Sequence, residues 1–148
     1  MWTYFNLLCV GEIALMKKSH WLLMILTLVA AVLVACEPDP PEIAFTDLPP
    51  GDAGSGSKLF EQSINDAASC SSCHSLEAVN QAGPGLAGYG AIAGERVSGE
   101  SAEEYSYWSI VAPSRHLLSG FSNVMPSNYD EVLTEQDIAD LIAFMLEL

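Results

Sequence analysis

The chain has 148 residues and a formal net charge of −14, with 19 acidic and five basic side chains. This length allows one modest domain plus a targeting segment and excludes a second domain of ordinary size. So acidic a chain is repelled by phosphates, which excludes nucleic acid as a partner. A partner met by diffusion is expected to present a basic patch, unless the charge serves only solubility.

The first predicted element is an apolar segment of 15 residues from Trp21 to Ala35, which follows two lysines. A positive stretch before such a segment is the layout of a secretory signal, and a spanning helix would need about 20 apolar residues. We therefore predict that residues 1–35 are a signal peptide and that the domain lies on the periplasmic side, with an uncleaved signal anchor as the alternative. Met16 opens a complete signal by itself, so translation is predicted to start there.

The next segment, residues 36–55, is predicted to be a lipid-modified cysteine followed by a tether. Leu33 to Cys36 resembles the lipobox of bacterial lipoproteins, which implies cleavage before Cys36 and acylation of that residue. Several acyl chains on one residue give stable membrane attachment. Residues 37–55 hold five of the eight prolines and no apolar periodicity, so they are predicted to be extended, with a reach of roughly 60 Å at most.

Residues 56–148 are predicted to contain three helix-like segments and no strand. The first covers 56–67; the second begins at Ser101, with Glu104 in the capping-box position, and stops at Pro113. The third begins at Thr134, after which apolar residues recur at helical spacing. The prediction is an all-α domain of three or four short helices. Its core is thin for its size, and a large apolar cofactor would enlarge it.

One pentapeptide, Cys70-Ser-Ser-Cys73-His74, has the spacing of a c-type haem attachment site. Two cysteines three residues apart on one turn can each form a thioether with a haem vinyl group, and the adjacent histidine can bind the iron. A zinc site would need two further ligands, and a thioredoxin-like site would need a βαβ pattern. We predict one covalent haem c, with a plain disulfide or a metal site as the alternatives.

A second axial ligand is expected further along the chain, and Met125 is the best candidate. Thioether sulfur stabilises ferrous iron, so His/Met ligation raises the reduction potential. His116 is the rival ligand and would lower the potential. Met145 is predicted to fill the core, because it lies on the apolar face of the last helix.

The chain from about 56 to 148 resembles class I cytochrome c, the small monohaem electron carriers, beyond the pentapeptide as well. Four positions carry this part of the resemblance: Gly56 and Phe60 on the first predicted helix, and Leu141 and Phe144 on the last. In that family two such helices cross closely at the glycine. The resemblance implies the small cytochrome c fold, wrapped around one covalently bound haem.

The resemblance also implies roles for residues around the haem. Pro84, in the segment 83–86, would accept a hydrogen bond from the haem histidine through its carbonyl, although a proline there can also simply form a turn. Residues 124–126 resemble the distal loop. Trp108 would donate its indole N–H to a haem propionate or else belong to the core. Arg96 could pair with a propionate, and a solvated arginine is the simpler interpretation.

The resemblance, together with the predicted lipid anchor at Cys36, implies a monomeric, membrane-anchored carrier of single electrons in a respiratory or photosynthetic chain, and not an enzyme. Its predicted partners are membrane-bound redox complexes with a basic docking patch. Three alternatives remain: a haem enzyme or sensor with an open sixth iron position, a fixed cytochrome subunit of a larger membrane complex, and a thiol–disulfide enzyme without haem. Some members of the family are basic around the haem edge, and the acidity of this chain leaves the partner open.

Overall fold

The computed structural model describes residues 43–65 and 67–148, and the helices in them are short. The α-helices are α1 (Ala53–Glu61), α2 (Tyr89–Ile92), α3 (Ala102–Val111), α4 (Tyr129–Val132) and α5 (Glu135–Leu146). Single 3-10 turns lie at Phe45–Asp47, Cys70–Ser72 and Ala93–Glu95. These described residues form no β-strand, which confirms the predicted all-α fold. Within them, no helix has the length and apolar character needed to cross a bilayer.

Helices α3 and α5 begin where their capping residues predict. The Ser101 hydroxyl accepts a hydrogen bond from the Glu104 backbone N–H at 3.1 Å. Thr134 and Asp137 form a complete capping box, in which each side chain accepts from the other residue's backbone N–H. Such caps satisfy N–H groups that have no partner inside the helix, so the chain begins both helices at these positions.

Helix α1 differs from its prediction, because it begins three residues before position 56 and ends well before position 67. Asp52 caps it by accepting from the Ser55 backbone N–H at 2.7 Å, and this hydrogen bond lowers the pKa of the Asp52 carboxyl. After the helix, Asn65 adopts a left-handed backbone conformation with φ +46°. A residue in that conformation cannot continue an α-helix, so the chain turns toward Cys70 instead.

The core forms where α1 crosses α5. The rings of Phe60 and Phe144 meet edge to face with centroids 5.6 Å apart, and Leu141 is buried beside them. Gly56 makes this close crossing possible, since a β-carbon there would overlap the backbone carbonyl of Asp140 and lie 2.8 Å from Cβ of Phe144. The four positions predicted to form the helix contact are therefore brought together at one crossing.

The described part of the predicted tether packs against the domain. We call residues 43–52 the strap. The hydroxyl of the fully buried Tyr107 donates to the carbonyl of Ile43, and the ring of Phe45 lies 5.6 Å from the Tyr107 ring. Leu48 also contacts the core. The predicted extended tether, residues 37–55, is therefore too long, because its described part packs on the domain. The predicted signal peptide and Cys36 lie outside the described residues.

A buried carboxylate, Asp140, ties the end of the strap to α5. Its Oδ1 accepts from the backbone N–H of Asp52 and from the side-chain amide of Gln136, both at 2.7 Å. The same amide contacts the carbonyl of Pro50 at 3.0 Å. This small network fixes the position at which the chain enters α1.

Replacing Asp140 by alanine is expected to lower the free energy of unfolding by about 1–3 kcal/mol, because two donors lose their buried acceptor. Guanidinium titration of the purified protein measures the loss. Asp140→Asn is the matched control, since it keeps an oxygen acceptor at nearly the same place, and it is expected to cost clearly less. Equal losses in the two variants would contradict this role of the carboxyl oxygen.

Candidate functional site

The cysteine–histidine pentapeptide forms a single tight turn after α1. The backbone N–H groups of Cys73 and His74 both donate to the carbonyl of Cys70, at 3.2 and 2.9 Å. Cys70 and Cys73 are both half-buried free thiols. Because the turn brings residues three apart to neighbouring positions, the two sulfurs can serve one ligand while His74 lies directly beside them.

The His74 ring is held from behind by the segment that follows it. Its Nδ1 lies 2.9 Å from the carbonyl oxygen of Pro84. A carbonyl can only accept, so Nδ1 carries the proton and Nε2 of the neutral ring keeps a free electron pair. A β-carbon on Gly83 would lie 2.7 Å from Nε2, so a glycine is needed for the ring to fit. This is the orientation expected of an imidazole that binds a metal ion.

His74 opens onto a cleft with two continuous parts. The inner part measures about 810 Å³ and the outer part about 1160 Å³, both including their open mouths. Cys70, His74, Pro84 and Met125 line both parts, whereas Cys73 lines the outer part alone. The size suits a large organic group. The structure therefore brings together the predicted thiols, the predicted histidine and the predicted methionine.

The inner cleft is apolar and is closed by core residues of all five α-helices. Its lining includes aromatic and aliphatic side chains from α1, α2, α3 and α5, namely Phe60, Tyr89, Tyr105, Ile110, Leu141 and Met145, and Tyr129 from α4. Burial raises the pKa of Tyr89 to about 12, and its hydroxyl is paired with Ser106 at 2.8 Å. Such a wall excludes water and favours a flat apolar ligand.

Two lining residues were given no role, or only a doubtful one, by sequence reasoning. Tyr129, on α4, donates its hydroxyl to the carbonyl of Ala68 at 2.8 Å and so fixes the chain just before Cys70. Arg96 is the one arginine or lysine among the described residues that line the inner cleft. A single cation at an apolar site suits a ligand that carries carboxylates. The sequence signal that could have identified Tyr129 is an aromatic residue in an otherwise polar segment.

Trp108 lies outside the lining of both parts of the cleft. The guanidinium of Arg115 stacks on its ring at 3.9 Å, and the ring of Tyr107 meets it edge-on at 4.9 Å. Its indole nitrogen is buried without a hydrogen-bond partner among the described residues. The donation to a propionate stays a prediction, and the orphaned N–H is the observation compatible with it.

His116 lines the outer cleft, but its ring is already engaged. Its Nε2 lies 3.1 Å from Oε1 of Glu100, which also accepts from Arg115 at 3.1 Å. The ring stacks on Tyr105 with centroids 6.0 Å apart. Met125 has no such partner among the described residues and packs against the core from the loop before α4. It lines both parts of the cleft, whereas His116 lines the outer part alone.

Comparison with known proteins gives one family. The family model for cytochrome c matches residues 53–148, which is about two thirds of the chain and begins at the first residue of α1. No curated protein matches the chain. The cleft carries the paired thiols, the oriented imidazole and the apolar wall that a covalently bound haem c requires. The chain belongs to the cytochrome c family, whose members carry haem c and transfer electrons.

Proposed function

We propose that this protein is a lipid-anchored, monohaem c-type cytochrome that carries single electrons outside the cytoplasm, with His74 and Met125 as the axial ligands of its haem. The observation that supports it is the convergence of Cys70, Cys73, His74 and Met125 on one apolar cleft. Bound haem supplies a one-electron ferric/ferrous couple.

The residues of the chain then have distinct tasks. Cys70 and Cys73 would hold the haem covalently, which would prevent its loss outside the cytoplasm. Pro84 holds His74 in the tautomer that leaves Nε2 free, through the 2.9 Å contact at Nδ1. The apolar inner wall excludes water. Arg96 is the one arginine or lysine in its described lining that could pair with carboxylates of the haem. Met125, in the loop before α4, would supply the second ligand from the lining of the same cleft.

A carrier is favoured over an enzyme or a gas sensor because two side chains, those of His74 and Met125, are available in one cleft to bind the iron. If both were bound to it, no position would be left there for a substrate. A sensor would need Met125 to be weakly held or displaced, whereas its side chain is half-buried and packs against the core. The fixed subunit of a larger complex remains the second candidate, which co-purification in mild detergent would distinguish.

A thiol–disulfide enzyme is disfavoured by the direction in which the pKa of Cys70 is shifted. Catalytic thiols of that class have a lowered pKa, because the thiolate is the nucleophile. Burial instead raises the pKa of the Cys70 thiol.

The strap restricts how far the domain moves from its anchor. If Cys36 is acylated, only the six residues between it and Ile43 are left as tether, and the seven residue-to-residue steps from Cys36 to Ile43 span at most about 25 Å. We therefore infer that the domain stays close to the bilayer and exchanges electrons with membrane-bound redox complexes. After Cys36 the chain keeps 18 acidic and three basic residues, a net charge of −15, so basic residues on a partner would speed encounter.

The proposed function is tested by absorption spectra of protein made in an extracytoplasmic compartment with c-type maturation. Sharp split bands on reduction, haem that remains on the denatured chain and a near-infrared sulfur-to-iron band in the oxidised form are expected. Reduced protein that binds carbon monoxide without denaturant would support the sensor or enzyme instead. Protein without haem, and with a disulfide between Cys70 and Cys73, would refute the proposal.

Cys36→Ala is expected to release the protein from membranes, because the residue that would be acylated is lost. Cell fractionation followed by haem staining measures the change, and Ser57→Ala is a control that leaves the proposed lipid site intact. Membrane retention of the Cys36 variant would point to an uncleaved signal anchor.

Gly83→Ala is expected to disturb the seating of His74, since the added carbon would come against the imidazole ring. We expect a smaller fraction of protein with haem, and a reduction potential shifted from that of the unaltered protein. Gly94→Ala is the matched control, because its nearest neighbour lies at an ordinary 3.5 Å. Identical haem content and potential in all three proteins would contradict the proposed role of this glycine.

A further inference from the structure

The strap contacts helix α3 on the side that faces away from the mouth of the outer cleft. Tyr105 and Ser109 are the residues of α3 that line the outer cleft, and they lie on one face because they are four positions apart. Tyr107, which donates its hydroxyl to the carbonyl of Ile43, lies two positions from each of them. Two positions are about 200° around a helix. The first described residue of the strap is therefore held behind α3.

Helix α5 places the rest of the strap on the same side. Leu141 and Met145 line the inner cleft, and no residue of α5 lines the outer cleft. A β-carbon on Gly51 of the strap would overlap the carbonyl of Ala139 and lie 2.9 Å from Cβ of Ala143. Ala143 is two positions from both cleft residues, so it lies on the opposite face of α5. Both helices thus separate the strap from the mouth.

The length of chain before the strap limits how the domain can be turned. The seven steps from Cys36 to Ile43 span at most about 25 Å. A compact domain of about 100 residues has a radius of gyration of about 13 Å and so measures roughly 33 Å across. If the mouth lay against the bilayer, Ile43 would be on the far side of the domain. An acylated Cys36 could then not reach the lipid while the strap stays in place.

We propose that the strap and its short tether hold the mouth of the outer cleft away from the bilayer. The partner is then the part of a membrane-bound redox complex that projects from the bilayer and carries its cofactor there. A cofactor inside the bilayer, such as a lipid-soluble quinone, is excluded as a direct partner. The proposal rests on the proposed lipid anchor and electron-carrier function. One electron passes between the haem and the partner's cofactor, one being oxidised as the other is reduced, and no covalent bond changes.

The surface chemistry of the domain would by itself favour the opposite orientation. Leu117 is 51% exposed and Val124 is 63% exposed, and both apolar side chains line the outer cleft. Burial, and then the carboxylates of Asp130 and Asp47, raise the pKa of Tyr107, so these two carboxylates lie near the docked start of the strap. Anionic headgroups repel carboxylates. The docked strap is therefore the feature that keeps the apolar mouth from turning toward lipid.

Lengthening the tether tests the orientation without changing the domain. Twenty glycine and serine residues inserted between Pro38 and Asp39 add up to about 70 Å of reach. The acylated holoproteins are placed in vesicles that contain a lipid with ferrocene on its headgroup. We expect the lengthened protein to exchange electrons with this lipid at least about tenfold faster than the unaltered protein, because a linker that cannot span two sites gives almost no effective concentration. Replacing residues 37–42 by six glycine and serine residues is the matched control and is expected to keep the slow rate.

Spin labels report the orientation directly. Ala44→Cys carries a label at an exposed position of the strap, and Leu117→Cys carries one at the mouth. In vesicles with a nickel-chelating lipid, nickel is expected to speed relaxation of the label at position 44 and not of the label at position 117. In the lengthened protein it is expected to affect both. Nickel-dependent relaxation at position 117 in the protein with its natural tether would overturn the proposal.

The outcomes distinguish failure of the orientation from failure of the proposed function. Unaltered protein that does not float with the vesicles would refute the lipid anchor, and the orientation with it. Absence of a reversible one-electron wave with a hydrophilic mediator in solution would refute the carrier function. Anchored protein that shows this wave, and that exchanges electrons with the ferrocene lipid as fast as the lengthened protein does, would refute the orientation alone.

Discussion

Replacing Met125 by leucine is expected to lower the reduction potential by on the order of 0.1 V or more, within the span of about 0.8 V that axial ligands control. Thioether sulfur favours ferrous iron, and leucine offers no electron pair in its place. The near-infrared sulfur-to-iron band is expected to disappear, and the reduced protein is expected to bind carbon monoxide. Redox titration and absorption spectroscopy measure these three changes.

Met145→Leu is the matched control for this experiment. Met145 also lines the inner cleft, but it belongs to α5 and packs against the core. Exchanging methionine for leucine in a core usually costs less than about 1.5 kcal/mol. We expect the potential and the infrared band to be retained. Loss of the band in the Met145 variant, with retention in the Met125 variant, would transfer the ligand role to α5.

His116 gives a second way to test the same assignment. Its Nε2 is paired with Glu100, so His116→Gln is expected to leave the infrared band in place. A histidine-ligated iron would instead show no sulfur band in the unaltered protein, and the His116 variant would then change the spectrum. The two outcomes separate the rival ligands without relying on activity.

The sequence predicted those parts of the fold and site that depend on local chemistry. Ser101 and Thr134 cap their helices because a hydroxyl three residues before a free backbone N–H is a local arrangement. The cysteine–histidine turn is local in the same sense. The partners of Gly56 lie 84 and 88 residues away, and they were predicted only through the resemblance to a family.

The contacts that segments without regular secondary structure make with the helices were not predicted. The strap has no apolar periodicity, and five of the chain's prolines fall in or before it, so it was taken as extended tether. It is fixed instead by single contacts to distant helices, such as the hydrogen bond from Tyr107 to Ile43. Helix α4 has four residues, which is too short for any periodic signal. Long-range contacts of this kind leave no pattern in the local sequence.

The crossing of α1 and α5 carries the largest expected effect on stability. Gly56→Ala is expected to lower the free energy of unfolding by about 1–3 kcal/mol, because the added carbon would overlap the Asp140 carbonyl and crowd Phe144. Alanine is by itself the better helix former by up to about 1 kcal/mol, so the measured loss is what remains after that gain. For a domain of this size the midpoint of thermal unfolding would fall by at least about 4 °C.

Gly54→Ala, on the same helix, is the control that separates crowding from helix propensity. Gly54 is exposed, and a β-carbon there would have a neighbour no closer than 3.4 Å. The same substitution is therefore expected to raise stability by up to about 1 kcal/mol. Guanidinium titrations of the two holoproteins give both values with one method. A gain of stability in both variants would show that the helices can move apart at the crossing, and the close contact at Gly56 would then not be required by the fold.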